Sequence, residues 1–105
     1  MTDDRVRKMN DIFYQIPYRQ APYFKHHVEC ADGFTVSIQA SEFHYSSIVE
    51  DTLDWLTFEL GYPSDIEPLI IPYVEDEADP TETVYAHVPA EVVYDVIQKH
   101  GGVKQ

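Results

Sequence analysis

A chain of 105 residues with 44% hydrophobic and 13% aromatic content can bury one modest core, and it is too apolar to remain disordered. Its formal charge of -12, from 7 Lys and Arg against 19 Asp and Glu, argues against direct nucleic-acid binding, because a negative field repels phosphate. With no apolar run of about 18 residues and no apolar stretch behind a basic start, the expectation is a cytoplasmic protein with no membrane partner.

The charge is also unevenly placed. All 7 Lys and Arg lie within residues 5–25 or at Lys99 and Lys104, so residues 26–98 hold 16 carboxylates and no Lys or Arg. Such a span cannot neutralise itself and attracts a basic protein surface, although high negative charge also serves solubility alone. The single cysteine, Cys30, has no disulfide partner and reads as a small buried hydrophobe.

In chain order, Asp3 and Asp4 can cap a helix over 4–14, in which Val6, Met9 and Phe13 recur at helical spacing. Pro17 and Pro22 then break regularity among Tyr14, Tyr18, Tyr23 and Phe24, an aromatic arm that either straps the domain or docks a partner. Residues 24–40 read as a hairpin around Ala31-Asp32-Gly33. A three-residue loop with Gly33 in the left-handed position pairs Cys30 with Phe34, Val28 with Val36, His26 with Ile38 and Phe24 with Ala40, which puts every apolar side chain on one face. The other face, with Lys25, His27, Glu29, Thr35, Ser37 and Gln39, is then solvated or turned to a partner.

Residues 41–52 have no sustained period and read as a loop. A strict alternation over 54–62 predicts a third strand with Leu56, Phe58, Leu60 and Tyr62 inward. A fourth over 83–88 has Val84, Ala86 and Val88 inward and Tyr85 and His87 outward. Pro89 opens a helix that Gly101 and Gly102 stop, with Val92, Val93, Val96 and Ile97 as its apolar stripe and Asp95 and Lys99 as an i,i+4 pair. The expected architecture is therefore α+β: a small antiparallel sheet of three to four strands, a C-terminal helix on one face, and a short N-terminal helix and arm. The arm covers residues 1–22 and the single domain residues 23–105.

Chemistry is sparse by comparison. There is no phosphate-cradling glycine loop, no G-x-S-x-G and no Cys or His pair at structural-zinc spacing, so neither a catalytic set, a metal site nor a cofactor is assigned. The acidic run Glu75, Asp76, Glu77, Asp79 and Glu82 lacks the mid-loop glycine of a calcium-binding loop, having Ala78 and Pro80 instead. It reads as a solvated loop or a docking surface, with Tyr18 and Tyr23 as aromatic anchors. A second candidate surface for a small ligand comprises Lys25, His27, Ser37, Gln39, Ser41, His44 and Tyr45. Of the remaining histidines, His26 falls on the apolar side of the hairpin, His87 on a strand and His100 at a helix end, where a cation is favoured.

The segments ADGFTVSIQAS (31–41), ELGYPS (59–64), PYVED (72–76), TVYAHVP (83–89) and KHGG (99–102) together resemble a set of small bacteriophage and prophage proteins. The likeness covers residues 28–102. In those relatives the segment after residue 41 more often reads as a Pro-Arg turn, where this chain has Ser46-Ser47-Ile48. No assigned activity comes with the family, so no catalytic residue is carried over. The resemblance implies a phage origin and action in the host cytoplasm, a setting in which small acidic proteins often inhibit host defence, as anti-CRISPR proteins do.

The leading expectation is a non-enzymatic inhibitor that binds a basic surface of a host defence or nucleic-acid-processing protein. The alternatives are an oligomeric sponge for a nucleotide immune signal, to which the scarcity of Lys and Arg objects, and a small metal-dependent enzyme. The aromatic arm is compatible with a homodimer.

Overall fold

In the computed structural model, which describes residues 4–15, 18–19, 25–40, 48–49 and 54–104, the chain begins with α1 (Asp4–Gln15). Then follow β1 (Tyr18–Arg19), β2 (Lys25–Glu29), β3 (Thr35–Gln39), β4 (Ile48–Val49), β5 (Asp54–Trp55) and β6 (Thr57–Gly61). A 3-10 turn (Ile71–Tyr73), β7 (Val84–Pro89) and α2 (Ala90–Lys99) complete it. The strands make an antiparallel sheet in the order β1-β2-β3-β6-β7, to which β1 adds only two residues, and β4 and β5 form a separate ladder. Ile48 and Val49, expected in a loop, thus pair with Trp55 and Asp54.

The hairpin forms in the register that sorts its apolar side chains. His26 faces Ile38 and Val28 faces Val36. The Cys30 N–H donates to the Phe34 carbonyl at 2.8 Å, and Gly33 turns the chain at φ 97°. The expected partner of Ala40, Phe24, lies outside the described residues. Val28, Cys30, Phe34, Val36 and Ile38 are all buried, and they share one core with Phe58 and Leu60 of β6, Tyr85 and Val88 of β7, and Ile70. Burial from water, then the nearby Asp32 charge, pushes the Cys30 thiol up to about 11, which leaves it inert.

Both helices close this core. Ala90, Val93, Val96 and Ile97 form the buried stripe of α2, with Val92 half-buried at its margin. From α1 come Val6, Met9 and Phe13, each 5% exposed or less. Burying one such side chain contributes roughly 1.5–3 kcal/mol in gross terms, against a net stability of about 5–15 kcal/mol for a small domain. Three of them make α1 one wall of the core.

Two strands depart from simple alternation. The strand over 54–62 bends at Leu56, because β5 pairs in the side ladder while β6 joins the main sheet. Buried Asn10 braces the bend: its Oδ1 accepts the Trp55 N–H at 2.7 Å and its Nδ2 donates to the Trp55 carbonyl at 2.9 Å. Leu56 and Tyr62, both expected inward, are instead exposed. In β7 the pairings Phe58 with Val88 and Leu60 with Tyr85 leave Ala86 and His87 opposite Glu59, a β-bulge with His87 at φ 51°. The bulge shifts the phase, so Tyr85 is buried with Val88, and Val84 and Ala86 are only half-buried. Asp95 and Lys99 likewise find partners other than each other: Arg5 of α1 meets Asp95 at 2.6 Å, and Lys99 meets Glu67 at 2.9 Å.

Candidate functional site

The acidic run forms an exposed surface loop. Glu75, Asp76, Glu77, Asp79 and Glu82 are all exposed on consecutive turns, with the Ala78 N–H donating to Asp76 Oδ1 at 3.0 Å and the Glu82 N–H to the Asp79 carbonyl at 2.9 Å. The base of the loop is tied down by the Glu75 N–H on the Val84 carbonyl at 3.1 Å and by the Tyr85 hydroxyl, which donates to the Pro80 carbonyl. Among the described residues no ion pair reaches any of these five carboxylates, and no three His, Cys, Asp or Glu side chains converge as a metal site.

The other candidates are scattered. Tyr18 lies on β1 opposite His26, but its side chain and all of Tyr23 fall outside the described residues, as do Ser41, His44 and Tyr45. Lys25 and His27 lie on β2, and Gln39 is half-buried opposite Glu59. Ser37 does not belong to an exposed polar row. It is 4% exposed, its ladder neighbour Gly61 is buried as well, and among the described residues its hydroxyl has no hydrogen-bond partner. That face of the sheet is covered at its centre.

A cluster that the sequence reading did not assemble lies where the hairpin turn meets the end of α2. The two turn signals dock on each other. The Gly102 N–H donates to the Ile97 carbonyl and the Gly101 N–H to that of Gln98, closing the helix, while the Ala31 N–H reaches the Gly102 carbonyl at 2.9 Å. This sets His100 flat against Phe34, with ring centroids 4.1 Å apart. His100 Nδ1 then donates to Asp32 Oδ2 at 2.6 Å and Nε2 to Glu67 Oε1 at 2.8 Å. Lys99 adds a contact to Glu67, whose other oxygen accepts the Leu69 N–H at 2.8 Å. Glu67 is 1% exposed, so it is a buried carboxylate with a full set of donors.

The charges hold one another in place. Burial alone would raise Glu67, but the Leu69 N–H, Lys99 and His100 outweigh it and hold its carboxyl below the usual range. Burial alone would lower His100, but Asp32 and Glu67 outweigh that and raise its pKa above the ordinary value. The Phe34 N–H, then His100, holds Asp32 low. A carboxylate on each ring nitrogen favours the doubly protonated imidazolium. Ser64, His100 and Asp32 line one groove, yet a nucleophilic triad is not assembled there. Nε2, which would have to take the Ser64 proton, faces Glu67, and the Ser64 hydroxyl already accepts the Thr35 N–H at 2.9 Å.

The groove beside the cluster has a volume of about 350 Å³ and is lined by residues of the hairpin turn, the 64–67 segment and the end of α2. Asp65 and Ile66 stand exposed on its rim. Only separate hints of this were available in the sequence: a turn signal at 31–33, a helix stop at 100–102 and a cation-favouring helix end. Compared with family models, curated proteins and solved structures, the chain matches none.

Proposed function

We propose that this chain is a non-enzymatic binding protein that lays its acidic surface on a basic surface of a host defence or nucleic-acid-processing protein. In this reading it is phage-encoded and acts in the host cytoplasm as an inhibitor. One observation carries it: each described Lys or Arg side chain is committed to a carboxylate outside residues 75–82, so among the described residues the five exposed carboxylates of that loop have no counter-ion. A field of that sign is complementary to proteins that handle phosphate.

Affinity capture from a bacterial lysate at low and high salt tests this, with the chain and a variant carrying E75Q, D76N, E77Q, D79N and E82Q as parallel baits. Screening tightens from about 10 Å at 0.1 M salt to about 3 Å at 1 M. A basic nucleic-acid-binding or defence protein should therefore be retained at low salt, released at high salt and lost with the variant. Equal recovery on both baits, at both salt concentrations, overturns the reading.

A further inference from the structure

Tyr62, Ile66 and Leu69 are 51%, 58% and 42% exposed, and all three sit in the single connection between β6 and the 3-10 turn. That connection is firmly held. The Tyr62 N–H donates to the Thr83 carbonyl at 3.0 Å, the Ser64 N–H to the Thr35 carbonyl at 2.8 Å, and Glu67 and Ile70 are buried. Ile66 and Leu69, apolar side chains presented to water on an anchored loop, mark an interaction surface.

The groove under Ile66 supplies the second half of the argument. Its two cations are already committed, Lys99 to Glu67 and His100 to Asp32 and Glu67. Asp65 uses one oxygen to accept its neighbour's N–H, at 2.9 Å from Ile66, and among the described residues it has no cationic partner. Half of the Asp32 side chain remains open to solvent. The rim thus offers an apolar shelf and an excess of negative charge, so a complementary occupant must bring both apolar surface and a cation. A guanidinium meets this best: its stem can lie along Ile66, and its planar fork matches a carboxylate at Asp65.

We propose that this groove is a docking site for an arginine-bearing, apolar-flanked segment of another protein, with Ile66 and Asp65 as its specificity-determining contacts. This rests on the reading of the chain as a binder of basic proteins and locates where one side chain of such a partner is read.

A titration of the isotopically labelled full chain, followed by backbone amide shifts, tests it. The probe is a ten-residue peptide with one arginine between two leucines, compared with the same peptide carrying neutral citrulline. Shifts should concentrate at residues 32–34 and 64–67, and citrulline, I66S or D65N should each weaken binding by about tenfold, the equivalent of one lost charged contact. Both side chains are exposed, and asparagine keeps the acceptor for the Ile66 N–H, so these variants retain the fold. Shifts confined to residues 75–82 overturn the groove and leave the broader acidic-surface reading standing. Equal binding of arginine and citrulline peptides removes the charge contact and with it the proposal. Concentration-dependent shifts at 64–67 without peptide would assign the groove to a second copy of the chain, and no response to peptide anywhere rejects the proposal.

Discussion

His100 keeps both of its carboxylates only as a cation, which makes its proton part of the fold. Its pKa in the folded protein lies above the ordinary 6.5, so its contribution is full below that value and is lost as pH rises through the folded pKa. Glu67 and Asp32 are held below their ordinary 4.5 and 3.8, so their contribution is full above those values and fades as pH falls through the folded ones. The network is therefore strongest between about pH 4.5 and pH 6.5. The Glu67 side of His100 is out of water and its charged hydrogen bond is worth about 1.5–3 kcal/mol, whereas the half-exposed Asp32 side adds little. His100→Gln keeps a hydrogen-bonding side chain but not the charge. Its melting temperature should fall furthest below that of the parent chain near pH 5.5, and the gap should narrow as pH rises above 6.5 through the folded pKa. A gap that is flat across that range would show that the proton is not what holds the cluster.

At the scale of elements, the docking of the hairpin turn on the end of α2 depends on Gly101. It sits at φ 92°, and a Cβ there would lie 3.0 Å from the Cβ of Ala31. Gly101→Ala should cost about 1–2 kcal/mol for the left-handed backbone alone, with crowding against the hairpin added to it. Gly33, at φ 97° with nothing within 4 Å of its Cβ position, should show the backbone cost without the crowding. Denaturant unfolding of the two alanine variants separates the contributions, and equal losses would mean that the approach to Ala31 is of no consequence.

These same elements mark what was legible in the sequence. The hairpin register was readable because a slip of one residue would have put Val28, Val36 and Ile38 in water, and α2 because Pro89, its apolar stripe and two glycines agree. The inward faces of 54–62 and 83–88 were not, because alternation assumes an unbroken strand. The bend at Leu56 answers to Asn10, which holds Trp55 from 45 residues away, and the bulge at His87 to the register shift between the Phe58 and Leu60 pairings. The His100 cluster was hidden for a related reason: Asp32, Glu67 and His100 belong to three connections whose meeting depends on the finished topology. Ser37 was misplaced because alternation says which face a side chain takes and nothing about what covers that face.

At the scale of the molecule, α2 and the residues after it tie together α1 and the hairpin. Arg5 and Asp95, 90 residues apart, pair across α1 and α2; Cys30 bridges to Val103; and the Lys104 N–H donates to the Glu29 carbonyl at 2.8 Å. A chain ending at Pro89 loses every α2 contribution to the core, so it should show no cooperative thermal transition, while retaining a full-length chain's worth of apolar strand residues open to an apolar dye. A sharp transition in that fragment would mean that the sheet and α1 suffice without α2.

The pairing of Arg5 with Asp95 also has a consequence for how the protein is made. The first helix leaves the ribosome long before the segment against which it packs, so the α1–α2 contact cannot form until α2 has been made. Its strands wait, apolar side chains uncovered, until α2 has been made. During that interval the dense negative charge of residues 26–98 makes neighbouring growing chains repel one another.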